Sequence, residues 1–371
     1  MRRVVITTGG TGGHIFPALA VAEEIRKRYP QAEVLFLGGL YGPEARLASE
    51  AGLRFEGLPV RGVLGRGVKG VAALLAMTRS FFRAYGLIRS FAPDLVMGFG
   101  GYASFPGLLA ARLSSPRTAI HEQNAFPGMV NRVLGRRVDA VFLTMPDASG
   151  CFPADTCQLV GNPVRESIAR LHRNYVNEGR PEWDGGPRRL LVLGGSQGAR
   201  ALNEAMVAGL PLLLAEGVDI LHQTGKQDYE RVAAAYQTAG MDKARVEPFI
   251  DDMAAAYDWA DLVLSRAGAS TLAELCATGL PSVLVPFPQA IKDHQTYNAA
   301  FLQEKGAALL MDQSDFFREG VAGTTLVATV LELLKDSDRL KGMGEKSLRL
   351  ARPDAASRIV DALDKLLMQK K

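Results

Sequence analysis

The sequence predicts an α/β protein of two Rossmann-like domains, each a doubly wound parallel sheet, with a cleft between them. Three observations carry this reading. Short apolar runs of strand length recur along the chain and alternate with amphipathic runs of helix length. A glycine-rich turn of one kind opens twice, as GGTGGHIFPALA after the first strand and as LVLGGSQGARALNEAM near residue 190. At 371 residues the chain also exceeds what one hydrophobic core comfortably fills, so two domains of about 150–200 residues each are expected.

Taken in order, the strand candidates of the first half are RRVVITT, EVLFLGG, DLVMGFGG, RTAIHEQ and AVFLTM. Those of the second half are RRLLVLGGS, VDILHQTG, ARVEPF, DLVLSRAG and PSVLVPF. Amphipathic runs such as HIFPALAVAEEIRKRY and GPEARLASEAG lie between them. RLHRNYVNEGRPEWDGGPRR is polar, glycine-containing and without apolar period, the composition of a linker or surface excursion. The run RLKGMGEKSLRLARPDAASRIVDALDKLLMQKK reads as helix. These signals place a first domain over 1–162 and a second over 163–345, with a helix over 346–371 packing back on the first.

Composition narrows the function. Apolar residues make up 47% and charged residues 22%, ordinary for a soluble globular protein. A net charge of +4, from 43 basic and 39 acidic residues, is too small to argue for a nucleic-acid partner. Cys151, Cys157 and Cys276 form no CxxC or Cys/His ligand pattern, which fits a reducing compartment. MRRVVITTGG does not read as a signal peptide, and no run reaches the ~18 apolar residues of a spanning helix. A cytoplasmic protein is expected, with any membrane contact peripheral.

Glycines packed at a strand-to-helix turn let main-chain N–H groups close on a phosphate. A dinucleotide site does not fit: GGTGGH is not GxGxxG, and the second strand ends Leu37-Gly38-Gly39 without the carboxylate that takes a ribose hydroxyl. GxxxxGK[ST] is absent as well. One such loop is equally explained by close helix–sheet packing. A second, with Ser196-Gln197 at its helix start, favours phosphate. In SRAGASTLAELCATGLPSVLVPFPQAIKDHQTYNAAFL a helix is expected to begin near Ser270 or Thr271, whose hydroxyls can cap it. Glu274, one turn in, suits the two hydroxyls of a ribose or simply complements the helix start. Asp293, His294, Gln295 and Asn298 cluster at a strand's carboxyl end, where open α/β sheets bind ligands. Asp336-Ser337-Asp338 and Asp251-Asp252 read as helix caps, so no metal site is expected, and no cofactor.

Together GGTGGHIFPALA, GFGGYASFPG, HEQNAFPGMVNR, GNPVR, LGGSQGARALN, FIDDMAAAYDWADLVLSRAGASTLAEL and DHQTYNA resemble the MurG-type glycosyltransferases, the bacterial N-acetylglucosaminyltransferases that make lipid II. The motifs run in family order from residue 5 to about residue 310. The resemblance implies a GT-B fold, UDP-N-acetylglucosamine (UDP-GlcNAc) as donor, and lipid I, the undecaprenyl-pyrophosphoryl-MurNAc-pentapeptide, as acceptor. It further implies inverting, metal-independent transfer forming a β-1,4 bond at the cytoplasmic face of the inner membrane, by a peripheral protein. Carried over by motif, Ile250 reads the uracil with its main chain and Glu274 takes the ribose hydroxyls. Arg165 and Ser196 hold the pyrophosphate, and Gln295 with Asn124 meets the sugar. Thr11, Gly12, Gly13 and His14 face the reaction centre, while Tyr102, Glu122 and Asn203 line the acceptor side.

An inverting transfer is helped by a base near neutral pKa. His14 leads on that ground, although a histidine beside a phosphate loop can equally brace the turn. Glu122 is the rival. His172 and His222 are weaker, the one in the linker stretch and the other on a core strand.

Residues 57–93 hold six basic side chains (Arg61, Arg66, Lys69, Arg79, Arg83, Arg89) and no acidic one. Apolar Leu64, Leu75 and Phe82 are interspersed. A crossover helix with a solvated basic face explains Ala72 to Ala84. The complete absence of acid suits an anionic lipid surface. The readings left beside lipid II synthesis are transfer to another lipid acceptor such as diacylglycerol, a UDP-GlcNAc epimerase, a non-catalytic nucleotide-sugar binder and, weakened by the missing fingerprint acid, an NAD oxidoreductase.

Overall fold

Strands buried on both faces carry unbroken apolar runs, and β1 (Arg3–Thr7, RVVIT) buries every residue after Arg3. The computed structural model describes residues 1–60, 69–181, 183–195, 198–290, 293–316 and 325–369, without the side chains of 69–72. The chain divides into two compact units, Met1–Arg165 with Arg352–Lys371, and Glu166–Ala351.

In the first unit β1 is joined by β2 (Glu33–Gly39), β3 (Arg54–Leu58), β4 (Leu95–Gly98), β5 (Arg117–Glu122), β6 (Ala140–Leu143) and β7 (Cys157–Leu159). All pair in parallel, in the order β3-β2-β1-β4-β5-β6-β7, with Val5 opposite Leu35 on one side and Val96 on the other. The helices between them are α1 (Gly12–Arg28), α2 (Glu44–Glu50), α3 (Lys69–Phe91), α4 (Ser104–Arg112) and α5 (Met129–Leu134). Side chains alternate across a strand. Val4, Ile6, Phe36 and Met97 accordingly meet Ile15, Val21 and Ile25 of α1, while Val5, Leu35 and Val96 meet Ile88 of α3 and Leu108 of α4.

The second unit repeats the plan with β8 (Arg189–Leu193), β9 (Asp219–Gln223), β10 (Arg245–Glu247), β11 (Leu262–Ser265), β12 (Ser282–Leu284) and β13 (Ala308–Leu310), all parallel in the order β10-β9-β8-β11-β12-β13. Its helices are α6 (Glu166–Glu178), α7 (Arg200–Ala208), α8 (Leu210–Ala215), α9 (Tyr229–Thr238), α10 (Met253–Trp259), α11 (Ala269–Thr278), α12 (His294–Glu304), α13 (Thr325–Lys335) and α14 (Ser337–Arg349). Helix α6 occupies half of the stretch expected as a linker. Ile168, Ala169 and Tyr175 supply a buried stripe that the many charges around them obscure. Beyond it, the Arg180 guanidinium donates to the carbonyls of Thr278 at 3.0 Å and Tyr257 at 2.9 Å, tying the ends of α10 and α11 together. Burial pulls its pKa down.

The last helix, α15 (Ala355–Met368), belongs to the first unit. Ile359, Val360, Leu363 and Leu366 enter the same core as Val4 and Ile15. Against α1, Arg28 pairs with Asp361 and the Tyr29 hydroxyl donates to Asp364 at 2.7 Å.

Strand order reverses at the β1–β4 junction in the first sheet and at β8–β11 in the second. Loops at the carboxyl ends of such strands are where doubly wound sheets bind ligands.

Candidate active site

The turn after β1 delivers helix α1 with its positive end uncompensated by its own sequence. Thr11 is the N-cap in extended backbone, its side chain makes no capping bond, and the first turn holds no acid. The turn is packed main chain on main chain against the turn after β4. A Cβ on Gly101, whose φ is +79°, would lie 1.8 Å from the Gly9 carbonyl oxygen. Beneath it, Glu44 at the head of α2 is buried and accepts the Gly10 N–H at 2.9 Å on Oε1.

His14 is half-buried, with Nδ1 2.9 Å from Oε1 of Gln123. Among the described residues Nε2 has no hydrogen-bond partner. The Gln123 amide nitrogen lies 3.1 Å from the Phe99 carbonyl and 3.1 Å from Nδ1 of His121. His121 is wholly enclosed, and burial lowers its pKa to about 4, so it is neutral near pH 7.

Glu122 does not have the geometry of a base. It is 2% exposed, and both oxygens are occupied: Oε1 by the Asn124 N–H at 3.0 Å and the Asn124 amide at 3.3 Å, Oε2 by the Gly128 N–H at 3.0 Å and the Asn131 amide at 2.9 Å. A carboxylate that receives four donors anchors the turn that follows β5. Tyr102, after β4, is 44% exposed. The Arg165 guanidinium lies over the Phe16 ring of α1, 4.8 Å from its centroid.

In the second unit, Gly194 follows β8 directly, where a Cβ would meet the Gln223 carbonyl oxygen at 3.0 Å. Ser196 lies outside the described residues. Helix α7 starts after Ala199 without a side-chain cap. Helix α11 begins at Ala269 behind Gly268, so Ser270 and Thr271 stand inside its first turn rather than at the cap, and no side chain caps it. Glu274 is buried on α11 and accepts from the Tyr257 hydroxyl at 3.0 Å on Oε2. The Ile250 N–H donates to Oε1 of Gln223 at 3.2 Å. Gln295, in the first turn of α12, accepts from the Phe287 N–H at 3.0 Å.

Asn203 is not placed to face an acceptor. It is fully buried in this second unit, its oxygen 3.0 Å from Nε2 of His222 and its nitrogen donating to the Thr224 carbonyl at 3.0 Å and to Asp228 at 2.7 Å. The Tyr236 hydroxyl lies 3.0 Å from Nδ1 of the same His222, and burial lowers that imidazole's pKa to about 3. The four side chains form one internal polar network.

Of the basic–apolar segment, Arg61, Leu64 and Arg66 lie outside the described residues, and Lys69 is described in its backbone alone. On α3, Leu74, Leu75 and Phe82 are 60%, 67% and 65% exposed, beside exposed Arg79 and Arg83. Arg83 reaches Glu56 of β3 at 3.4 Å. No described helix is long and apolar enough to cross a membrane. Asp252 caps α10 and Asp336 caps α14, each accepting a main-chain N–H at 3.0 Å. Among the described residues no group of three or more His, Cys, Asp or Glu side chains is arranged to hold an ion.

Three site residues carried no signal of their own. Glu44 sits among Gly38, Gly39 and Gly42, glycines that leave room for its carboxylate. Gln123 was legible only as part of HEQN, and Tyr257 only as an apolar helix position.

Residues 4–143 match the glycosyltransferase family 28 N-terminal domain, and residues 189–359 match the glycosyltransferase family 28 C-terminal domain. A protein of Nitratidesulfovibrio vulgaris strain Miyazaki F is 54% identical over 99% of this chain and 98% of its own. It is named UDP-N-acetylglucosamine–N-acetylmuramyl-(pentapeptide) pyrophosphoryl-undecaprenol N-acetylglucosamine transferase. The crystal structure of Acinetobacter baumannii MurG superposes with a TM-score of 0.77 at 35% identity, covering 98% of this chain and 100% of that one. A UDP-GlcNAc 2-epimerase from Neisseria meningitidis, at 13% identity and a TM-score of 0.66 over 98% of this chain and 100% of its own, shares the fold alone. With both family domains matched in order on a GT-B fold, and a full-length relative sharing half its residues, this chain belongs to glycosyltransferase family 28, in the MurG group.

Proposed function

We propose that this protein transfers GlcNAc from UDP-GlcNAc to the C4 hydroxyl of MurNAc in lipid I, giving lipid II for peptidoglycan synthesis. The observation carrying the reading is the end-to-end likeness to a relative named for that transfer, on a chain whose half-buried His14 imidazole stands at the head of a glycine-loop helix. The C4 oxygen attacks the anomeric carbon, the bond from that carbon to the phosphate oxygen breaks with its electron pair, and UDP departs. The hydroxyl proton passes to Nε2 of His14. Attack from the face opposite the leaving group inverts the anomeric centre.

In this reading the second unit holds the nucleotide. Ile250 gives its N–H to Gln223, so its carbonyl is the natural acceptor for the uracil N3–H. Glu274, fixed by Tyr257, takes the ribose hydroxyls. Ser196 and Arg165 hold the pyrophosphate, the guanidinium bidentately, and the uncapped start of α11 adds positive potential. Gln295 and Asn124 meet the sugar, and Thr11, Gly12 and Gly13 offer main-chain amides from the first loop. Tyr102 lines the acceptor side. Charge on the leaving UDP is carried by these groups, and the transfer needs no metal.

The exposed apolar and basic face of α3 docks on anionic lipid at the cytoplasmic face of the cell membrane, where a polyprenyl-linked acceptor resides. The deciding experiment incubates the enzyme with radiolabelled UDP-GlcNAc and lipid I in chelator. Label in the lipid fraction is the expected result. Label that stays in UDP-GlcNAc, or that moves to diacylglycerol instead, overturns the assignment, and transfer that chelator abolishes overturns the metal-free step.

A further inference from the structure

We propose that Gln123 is a positioning residue that holds His14 in the tautomer bearing its hydrogen on Nδ1, leaving the Nε2 lone pair as the proton acceptor. This rests on the reading of His14 as the base.

The argument starts from two carbonyls, groups that only accept. The Gly161 oxygen lies 3.0 Å from Nε2 of His121, so that nitrogen carries hydrogen, and the Thr144 hydroxyl at 3.4 Å can accept from it as well. A neutral, enclosed His121 then presents a lone pair on Nδ1. The Gln123 amide nitrogen meets that lone pair at 3.1 Å and the Phe99 carbonyl at 3.1 Å. Two acceptors on one side fix the NH2 there, because the flipped amide would set its oxygen against both. Oε1 therefore points the other way, to Nδ1 of His14 at 2.9 Å, and Nδ1 must donate. Hydrogen-bond direction runs from His14 through Gln123 and His121 to the main chain of Gly161, and every hydrogen in the series is assigned by a carbonyl.

The sequence explains why the parts meet. His121 and Gln123 are two apart at the end of β5 and share a side, while Glu122 between them faces the other way and anchors the next turn. Free histidine favours hydrogen on Nε2, a form that offers no lone pair at the nitrogen lacking a protein partner among the described residues. The second nitrogen of an imidazole is set by the bond the first one makes, and an enzyme whose histidine takes the wrong tautomer keeps its shape and loses rate.

The test uses the full chain carrying 15N-labelled histidine. Multiple-bond 15N–1H correlation near neutral pH reads the tautomer of each of the five histidines, with His14 assigned by its loss in His14→Gln. Wild-type His14 is expected as Nδ1–H and His121 as Nε2–H. Gln123→Ala should move His14 toward Nε2–H and lower kcat by about tenfold to a thousandfold, with KM for UDP-GlcNAc within about twofold. Gln123→Glu, whose neutral carboxyl keeps one acceptor and one donor, should retain the tautomer and most of kcat. Wild-type His14 protonated on Nε2, or a Gln123→Ala enzyme with tautomer and kcat unchanged, overturns the proposal. Where Gln123→Ala does not fold, the wild-type spectrum and Gln123→Glu decide it. Should His14→Gln transfer at the wild-type rate, the base assignment fails while the tautomer result stands on its own.

Discussion

The main-chain amide of Gly10 donates to Oε1 of Glu44 at 2.9 Å, so the glycine turn after β1 is braced from below by a carboxylate of the neighbouring helix. Glu44 is 2% exposed, and its Oε2 has no partner among the described residues. Replacing it with alanine removes the acceptor and leaves a hole between Gly9, Gly38 and Gly42. Glu44→Ala is expected to cost about 1–3 kcal/mol in urea denaturation, and Glu44→Gln, which keeps the acceptor, distinctly less. Equal stability of all three proteins would contradict the brace.

Gly101 is where the two turns of the first unit touch. A side chain there meets both a positive φ and the Gly9 carbonyl at 1.8 Å. Gly101→Ala should destabilise by more than the roughly 1–3 kcal/mol of a strained backbone alone and impair transfer by displacing Thr11 to His14. A thermal scan alongside an activity assay measures both.

Glu122 and His14 should separate cleanly. Glu122→Gln turns one accepting oxygen of a buried side chain into a donor facing N–H groups that now donate to it, and a loss of about 2 kcal/mol in unfolding free energy is expected. His14→Ala should stay within about 1 kcal/mol of wild type while kcat falls by about 10²–10⁴. A stable, inactive Glu122→Gln would return that carboxylate to candidacy as the base.

Two enclosed histidines make stability depend on pH. The pKa of His121 is lowered to about 4 and that of His222 to about 3, both from 6.5, by burial. The unfolded chain takes up these protons below pH 6.5 and the folded chain does not, so the stabilisation present above that value is lost as pH falls toward the folded pKa values. Each imidazole accounts for on the order of 2 kcal/mol between about pH 6.5 and 5. Trp183 and Trp259 both belong to the second unit, so tryptophan fluorescence follows His222. Its urea midpoint should drop between about pH 7 and 5, and a flat midpoint would refute the burial argument.

The outward face of α3 predicts a separation of binding from folding. Leu75→Ser with Phe82→Ser removes exposed apolar surface and should leave the melting temperature unchanged while weakening association with vesicles rich in anionic lipid. Arg79→Gln should weaken it by about fivefold, the equivalent of about 1 kcal/mol for one basic residue at the surface. Binding to neutral vesicles that equals binding to anionic ones would remove the basic residues from the account.

Every strand in the middle of a sheet was legible from its apolar run, and the three that were not are all edges. RFEGL of β3, CQL of β7 and ALL of β13 each pair on one side only and are short or half-exposed, so hydrophobicity marks them weakly. Helix α6 was obscured by charge density around a narrow stripe. In the site, the glycine turn after β1 was legible because close backbone packing requires its composition, whereas α11 begins at Ala269, ahead of the Ser270 and Thr271 hydroxyls expected to cap it. The roles of Glu122 and Asn203 were not, because one carboxylate or one amide in a motif looks the same whether it faces a ligand or closes an internal network. That difference lies in which donors surround it, and sequence spacing does not record that.

Helix α15 completes the apolar core that β1 begins, with Ile359, Val360, Leu363 and Leu366 packed beside Val4 and Ile15. During synthesis, therefore, the part of the protein translated first waits for a segment made some three hundred and fifty residues later. The middle unit, whose sheet draws on 189–310 alone, can finish while the earlier sheet, covered on that face by α1, still lacks the part of its wall that α15 supplies. An exposed, half-walled sheet on the nascent chain is a natural client for chaperones, and a ribosome stalled before Ile359 would release a product with its second half sound and its first half open.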